Sequence, residues 1–128
     1  MRLLLDTHTF LWWDREPARL SVRAREAIRR PETELFLSLA SVWEMQIKVS
    51  NGKLDLRIPL KGVIAEQQET NGLQLLALRP EHVWRLGGLP RLHRDPFDRM
   101  LVAQAIEEGM RLVSNDPDIA QYRIGTLW

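Results

Sequence analysis

Four acidic residues lie at points of the sequence where a carboxylate can take part in chemistry. Asp6 directly follows the short apolar run of residues 3–5, and Asp116 follows a second such run. Glu44 and Asp98 lie in segments with helical spacing, on the side that carries the apolar residues. A carboxylate on the buried side of a helix requires a partner, because an unpaired buried charge is costly. These four residues are the candidate functional set.

The segment 93–116 contains the clearest start and stop signals. Asp95 followed by Pro96 is typical of a helix start, because the Asp side chain accepts hydrogen bonds from the first turn and Pro is tolerated there. Gly109 supplies a left-handed stop. The pattern therefore predicts a helix up to residue 108, followed by a strand at residues 111–114. Asp98 lies on the inward stripe of that helix.

Structural roles compete with the functional reading for some of these acids. Asp6 and Asp116 are both placed to cap a helix that begins just after them. Glu44 has capping-box spacing from Ser41 and ion-pair spacing from Lys48. If the helix already begins near residue 38, Glu44 lies in its second turn, too late for a capping box. An ion pair between Glu44 and Lys48 remains an alternative. A cap and a catalytic role can coexist in one residue.

Apolar runs and helical segments alternate along the whole chain. The predicted strands cover residues 3–5, 34–38, 74–78, 111–114 and 124–128. This alternation predicts an α/β sandwich with a mostly parallel sheet and right-handed crossovers. In such sheets ligands bind beyond the carboxyl ends of the strands, and the four acids converge on that edge.

Several carboxylates at one edge would repel one another strongly. Two like charges about 4 Å apart cost about 4 kcal/mol at an effective dielectric near 20. Several such pairs would rival a total folding stability of roughly 5–15 kcal/mol. Either some of the acids are protonated, or a cation lies among them. A site made only of oxygens suits Mg²⁺ or Mn²⁺, and such ions promote hydrolysis of phosphodiesters.

The composition sets outer limits on these expectations. A chain of 128 residues fits one domain over residues 1–128, and 45% apolar with 27% charged residues is ordinary for a globular protein. The absence of cysteine excludes disulfides, thiol catalysis and cysteine zinc sites, and suits the cytoplasm. No apolar run approaches the ~18 residues of a membrane span. The apolar run at the start of the chain is too short for a signal peptide. A net charge of +1 neither demands nor excludes nucleic acid.

Basic and aromatic residues surround the predicted acidic edge. Arg94 and Arg99 flank the start of the acidic helix and are candidates for phosphate or partner contacts, with surface salt bridges as the alternative. His93 is a candidate for substrate contact, with a hydrogen bond inside its loop as the alternative. The tryptophans at positions 12, 13 and 43 are expected mainly in the core, although Trp12 and Trp13 cannot face the same way. One of that pair is therefore a candidate for a dimer or partner contact.

Four stretches of the sequence resemble a known family. DTHTFLWW, SVWEMQIKVSNGKL, LPRLHRDPFDRMLVAQA and LVSND are similar to PIN-domain nucleases, and most closely to the ribonuclease toxins of VapBC toxin–antitoxin pairs. The likeness spans almost the whole chain. It implies a three-layer sandwich with a parallel 3-2-1-4-5 sheet and helices on both faces, Mg²⁺-dependent cleavage of RNA, and inhibition by a small antitoxin. We also expect a homodimer. Ser114 stands where the family often has Thr, so the hydroxyl is kept.

The family's acidic positions map onto residues of this chain. They are Asp6, Glu44, Asp98 and Asp116, with Asp95 as an alternative third ligand whose role as a helix cap we favour. The resemblance leads us to expect that Asp6 and Asp98 bind the principal ion, and that Glu44 and Asp116 complete its shell or hold a second ion. The expected products carry 5′-phosphate and 3′-hydroxyl ends. The alternative is a PIN-like module that binds RNA or a partner without cutting.

Overall fold

A parallel sheet forms the centre of the molecule. The computed structural model describes residues 1–128. The strands are β1 (Arg2–Leu5), β2 (Glu34–Ser38), β3 (Gln74–Leu76) and β4 (Arg111–Val113). The helices are α1 (Thr7–Arg15), α2 (Val22–Arg29), α3 (Leu39–Ser50), α4 (Leu60–Asn71), α5 (Pro80–Gly87), α6 (Pro96–Glu108) and α7 (Pro117–Ala120), with a single 3-10 turn at Pro17–Arg19. The predicted alternation of strands and helices is confirmed.

The sheet has four strands in the order β3-β2-β1-β4, and all neighbours run parallel. The predicted order 3-2-1-4 is confirmed, but the predicted fifth strand at residues 124–128 is wrong. The end of the chain makes only one isolated bridge, between Val113 and Leu127. Arg123 and Gly125 have φ angles of 54° and 72°, and this left-handed backbone cannot continue an extended ladder. β3 also ends earlier than predicted, because its partner β2 ends at Ser38 and turns into α3.

Helices cover both faces of the sheet, as predicted. Along β1, Leu3 and Leu5 are fully buried in a cluster with apolar residues of α1, α2, α3 and α4. Leu4 points to the opposite face, where it packs with residues of α6 and α7. This alternation is the period-2 pattern of a strand that is buried on both sides. The result is a three-layer sandwich with one core on each face.

Local signals fix the boundaries of α4 and α6. Pro96 occupies the first turn of α6, and Asp95 caps it. Gly72 and Gly109 end α4 and α6 with φ angles of 66° and 64°, a conformation that glycine adopts without strain. No helix in the structure has both the length and the apolar character needed to cross a bilayer.

Candidate active site

Asp6 lies where β1 passes into α1, and it caps that helix. Its Oδ1 atom accepts a hydrogen bond of 2.7 Å from the Thr9 backbone N–H. The residue is only 4% exposed, and burial raises the pKa of its carboxyl. Hydrogen bonds with Ser114 and Thr9 act in the opposite direction. Asp6 is therefore both a helix cap and a buried carboxylate at the end of the central strand.

Asp116 lies beyond the end of β4, the strand beside β1. Its Oδ1 atom caps α7 by accepting from the Asp118 backbone N–H at 2.9 Å. Its own N–H donates to the Ser114 hydroxyl at 3.0 Å. Ser114 also lowers the pKa of the Asp6 carboxyl, so the same hydroxyl acts on the acids at the ends of both strands. The sequence singled out this hydroxyl only through the family resemblance.

Glu44 reaches the same edge from α3. It is 7% exposed, and its Oε1 atom accepts a 2.7 Å hydrogen bond from the Thr7 hydroxyl. Its Oε2 atom lies 3.1 Å from the Lys48 Nζ atom, so the predicted ion pair is confirmed. The capping box with Ser41 is wrong, because α3 begins at Leu39 with Ser38 as its cap.

Asp98 lies in the first turn of α6, and its pKa is also raised. Burial contributes most to raising its pKa to about 7. The negative charges of Asp95 and Asp116 raise this pKa further, and Glu44 adds a smaller effect. A hydrogen bond from His93, at 3.4 Å, acts in the opposite direction. The electrostatic crowding that the sequence predicted is thus centred on Asp98.

Asp95 has a structural role that its contacts explain in full. Its Oδ1 atom accepts hydrogen bonds from the backbone N–H groups of Phe97 and Asp98, at 2.9 and 3.0 Å. These are free donors at the start of α6, so the predicted cap is confirmed.

The four acids all lie at the carboxyl-end edge of the sheet. The Thr7 hydroxyl donates to Glu44, and the Ser114 hydroxyl accepts from the Asp116 N–H. The negative charges of Asp116 and Glu44 both raise the pKa of Asp98. No three acidic or histidine side chains, however, already form a cage for a metal ion. The side chains would have to rotate to share one cation. The donor set suits a hard ion, since it consists of carboxylate oxygens whose negative charges crowd around Asp98.

A basic loop just before α6 borders Asp98. An open cavity of about 510 Å³ is lined by Arg91, Leu92, His93, Arg94 and Arg99. The His93 Nδ1 atom lies 2.8 Å from the Tyr122 hydroxyl, and Arg99 donates to that hydroxyl at 2.9 Å. Tyr122 was missed by the sequence analysis, because only the folded chain brings it to this loop. His93 makes both a loop contact and a contact with a candidate catalytic acid.

The tryptophans divide differently from the prediction. Trp12 and Trp13 are half-buried and pack against the core of the α1 side. Trp43 is 60% exposed, although it was expected mainly in the core. Its helix buries other positions, so Trp43 lies outside the packed face of α3.

Comparison with known proteins identifies the family to which this chain belongs. The family model for the PIN domain matches residues 3–125. The chain is 33% identical over 122 residues to Ribonuclease VapC22 of Mycobacterium tuberculosis, which covers 94% of this chain and 92% of that protein. The chain therefore belongs to the PIN domain family, and it is a homologue of a VapC ribonuclease.

Solved structures confirm the fold. The structure of VapBC2 from Rickettsia felis bound to a DNA fragment from their promoter matches with a TM-score of 0.75 at 15% identity, over 98% of this chain and 96% of that one. VapBC-1 from nontypeable Haemophilus influenzae matches with a TM-score of 0.70 at 15% identity, over 100% and 96%. FitAcB from Neisseria gonorrhoeae matches with a TM-score of 0.59 at 18% identity, over 97% and 94%.

Proposed function

We propose that this protein is a metal-dependent endoribonuclease and the toxin of a type II toxin–antitoxin pair. One observation carries the proposal: four acids from separate parts of the chain lie at one sheet edge, where burial and then neighbouring negative charge raise the pKa of Asp98 to about 7. The similarity to Ribonuclease VapC22 supports RNA as the substrate.

Mg²⁺, or Mn²⁺ in its place, is the cofactor that suits these residues. We assign Asp6 and Asp98 as its principal ligands, with Glu44 and Asp116 completing the shell. The hydrogen bonds of Asp98 and Asp116 each use one carboxylate oxygen, so the second oxygen of each is available. When bound there, a divalent cation would neutralise the acids, bind a phosphate oxygen and lower the pKa of water.

The side chains of the site have defined tasks in the proposed hydrolysis. Water attacks the phosphorus in line with the 3′-oxygen and loses its proton to a site carboxylate. The P–O3′ bond breaks, and the 3′-oxygen takes up a proton, which leaves 5′-phosphate and 3′-hydroxyl ends. Thr7 and Lys48 hold Glu44 in place, and the Thr9 backbone N–H holds Asp6.

The basic loop is assigned to binding the RNA backbone. Arg94 is exposed and lines the same cavity as Arg99 and His93. Arg99 is held by the Pro90 carbonyl at 2.8 Å and by Tyr122, so its guanidinium is fixed before the RNA arrives. Phosphate contacts of this kind fix the register of a nucleic acid without reading its sequence.

We further propose a small antitoxin as the inhibitory partner, a homodimer as the assembled state and the cytoplasm as the location. The support for the antitoxin is the likeness to VapC22 and to the VapBC structures. Sedimentation of the purified chain tests the dimer. Co-expression with the product of a short neighbouring reading frame, followed by loss of cleavage, tests the antitoxin.

RNA cleavage by the purified protein tests the main proposal. Cleavage is expected with Mg²⁺ or Mn²⁺ and not with a chelator, and Asp6→Asn or Asp98→Asn should abolish it. Glu107→Gln is a matched control, because Glu107 is on α6 but pairs with Arg85 at the surface, at 2.8 Å. A wild-type protein that binds RNA but never cuts it with either ion would favour the non-cutting alternative instead.

A further inference from the structure

A series of hydrogen bonds joins Asp98 to Tyr122 through the ring of His93. The His93 Nε2 atom lies 3.4 Å from the Asp98 Oδ2 atom, and its Nδ1 atom lies 2.8 Å from the Tyr122 hydroxyl. Arg99 donates to the same hydroxyl at 2.9 Å. These contacts connect the loop before α6, the first turn of α6 and the segment after α7. We call these residues the Tyr122–His93–Asp98 network.

The chemistry of the groups gives these hydrogen bonds a direction. A guanidinium can only donate, so the Tyr122 oxygen accepts from Arg99. The hydroxyl proton of Tyr122 is then free to be donated to the other neighbour of that oxygen, the Nδ1 atom of His93. A neutral histidine that accepts at Nδ1 carries its proton on Nε2. That proton faces the Asp98 carboxylate, which only accepts when it is charged.

His93 is held in place, and neither of its ring nitrogens is left for RNA. Its side chain is 11% exposed, and that of Asp98 is 18% exposed. The rings of His93 and Tyr122 also meet at 65°, with centroids 5.4 Å apart. A direct substrate contact, one of the two roles expected from the sequence, is therefore less favoured than an action of His93 on the neighbouring carboxylate.

We propose that Tyr122 is a positioning residue that fixes His93 in the Nε2–H tautomer, so that His93 holds the Asp98 carboxylate in the orientation that binds the cation. This inference rests on the proposed metal-dependent function and adds two positioning residues to it. With Oδ2 held by His93, the Oδ1 atom of Asp98 is left for the ion. Groups that hydrogen-bond to a metal ligand typically contribute about 10- to 100-fold to metal affinity.

A purely structural role for Tyr122 is the competing explanation. In that case its hydroxyl only ties the end of the chain to α6 through Arg99. Arg99 has a second anchor, however, because it also donates to the Pro90 carbonyl at 2.8 Å. Removal of the hydroxyl thus leaves Arg99 with a partner but leaves the His93 Nδ1 atom without one. The two explanations predict different outcomes for metal affinity.

Nitrogen NMR of the histidine rings in the metal-free protein tests the tautomer. At about pH 8.5, where a histidine of ordinary pKa is neutral, His93 should carry its proton on Nε2. Its Nδ1 resonance should have the shift of a hydrogen-bonded acceptor. In Tyr122→Phe, that resonance should move towards the shift of a nitrogen without a hydrogen bond. The spectrum of His93→Leu identifies the signals of His93 among the three histidines.

Binding of Mn²⁺ tests the consequence for the site. His93→Leu should weaken Mn²⁺ binding by roughly 10-fold or more, and Tyr122→Phe by roughly 3- to 10-fold, because Tyr122 acts through His93. In the His93→Leu background, Tyr122→Phe should have no further effect, because the link is already broken. His93→Gln should bind Mn²⁺ more tightly than His93→Leu, since an amide can donate to Asp98 in place of the ring.

Thr33→Val is the matched control for the loss of a hydroxyl. The Thr33 hydroxyl donates to the Ala27 carbonyl at 2.9 Å, just before β2 and at the opposite end of the sheet from the acids. This variant should bind Mn²⁺ like the wild type. Melting curves confirm that each variant is folded.

Three results would overturn the inference. The first is a wild-type His93 that carries its proton on Nδ1. The second is a Tyr122→Phe protein that binds Mn²⁺ with the affinity of the wild type, whatever its melting temperature. The third is an equal effect of Tyr122→Phe with and without His93.

The proposed function and this inference fail in different ways. A wild-type protein that binds Mn²⁺ but never cuts RNA would overturn the nuclease and leave the Tyr122–His93–Asp98 network intact. A wild-type protein that cuts RNA while Tyr122→Phe binds Mn²⁺ with unchanged affinity would overturn only the positioning role.

Discussion

The two ends of α6 hold carboxylates in opposite circumstances. At the first turn, burial and neighbouring negative charges raise the pKa of Asp98 to about 7. At the last residue, a hydrogen bond from His82 and the charge of Arg79 hold the pKa of Glu108 below its usual value. One helix therefore presents a carboxylate whose charge is opposed and another whose charge is stabilised.

The contacts of Glu108 explain why its charged form is stabilised. His82 is fully buried, and its Nε2 atom lies 3.2 Å from Glu108 while its Nδ1 atom accepts from the Arg79 N–H at 3.0 Å. Gln104, one turn earlier on α6, places its Nε2 atom 3.3 Å from the same Nδ1 atom. The network joins α5 to α6 with protein groups alone.

The difference separates an acid with a structural role from an acid that we propose to be functional. Where the protein supplies the partners, as for Glu108, the carboxylate holds two helices together and requires nothing from outside. Where the neighbours are other carboxylates, as for Asp98, the folded protein keeps a local repulsion that an external cation would relieve. Each prediction below changes one side of this contrast.

The largest effect is expected from removal of a charge at the acidic end. Asp98→Asn should lower RNA cleavage by at least about 10³-fold, since a metal ligand supplies several kcal/mol of transition-state stabilisation. Asp95→Asn should retain activity within about tenfold, because Asn also caps helices well. Single-turnover cleavage measures both. Equal losses in the two variants would make Asp95 a ligand rather than a cap.

The second effect is a dependence of stability on pH in the metal-free protein. The folded-state pKa of Asp98, about 7, lies above the ordinary value of 3.8, so the folded state binds more protons between these values. The free energy of unfolding should therefore fall as the pH rises from about 4 to about 7. At pH above 7, Asp98→Asn should be more stable than the wild type by up to about 4 kcal/mol.

Urea unfolding of the two proteins across this pH range gives the difference directly, because the contributions of acids that do not interact with Asp98 cancel. An Asp98→Asn protein that is less stable than the wild type above pH 7 would show that Asp98 is a structural acid like Glu108.

At the other end of α6, Glu108→Ala should lower the free energy of unfolding by about 1–3 kcal/mol, because it leaves His82 buried without its partner. RNA cleavage should be unchanged at a temperature where the variant is folded. Glu107→Ala, which removes a more exposed ion pair with Arg85, should cost no more than about 1 kcal/mol. A loss of cleavage in folded Glu108→Ala would contradict a purely structural role for Glu108.

The smallest effect is expected in the basic loop. Arg94→Ala should weaken RNA binding by a few fold and lower the slope of log affinity against log salt by about 0.7, the value of one contact to a single strand. Arg23→Ala on α2, which is equally an exposed arginine, should leave the slope unchanged. Equal slopes for Arg94→Ala and the wild type would show that Arg94 does not contact a phosphate.

Local signals made much of this fold predictable. The Asp95–Pro96 start and the Gly109 stop of α6 are short-range features, because the cap and the left-handed residue act within one turn. The buried run of β1 was recognisable for the same reason, since a strand covered on both faces is continuously apolar. The convergence of the acids followed from parallel topology.

The remaining features depend on contacts between distant residues. Tyr122 reaches His93 only in the folded chain, because the two residues are 29 positions apart in the sequence. The exposure of Trp43 depends on which face of α3 meets the sheet. The prediction of a fifth strand was wrong because Arg123 and Gly125 adopt a left-handed backbone conformation. Arg123 gives no sequence signal for that conformation.

Binding of Mn²⁺, followed by electron paramagnetic resonance, tests the central claim most directly. We predict that the wild-type protein and Asp95→Asn bind Mn²⁺, whereas Asp6→Asn and Asp98→Asn bind it far more weakly. A wild-type protein that binds no Mn²⁺, or an Asp98→Asn protein that binds it with unchanged affinity, would contradict the account of a shared cation at this edge.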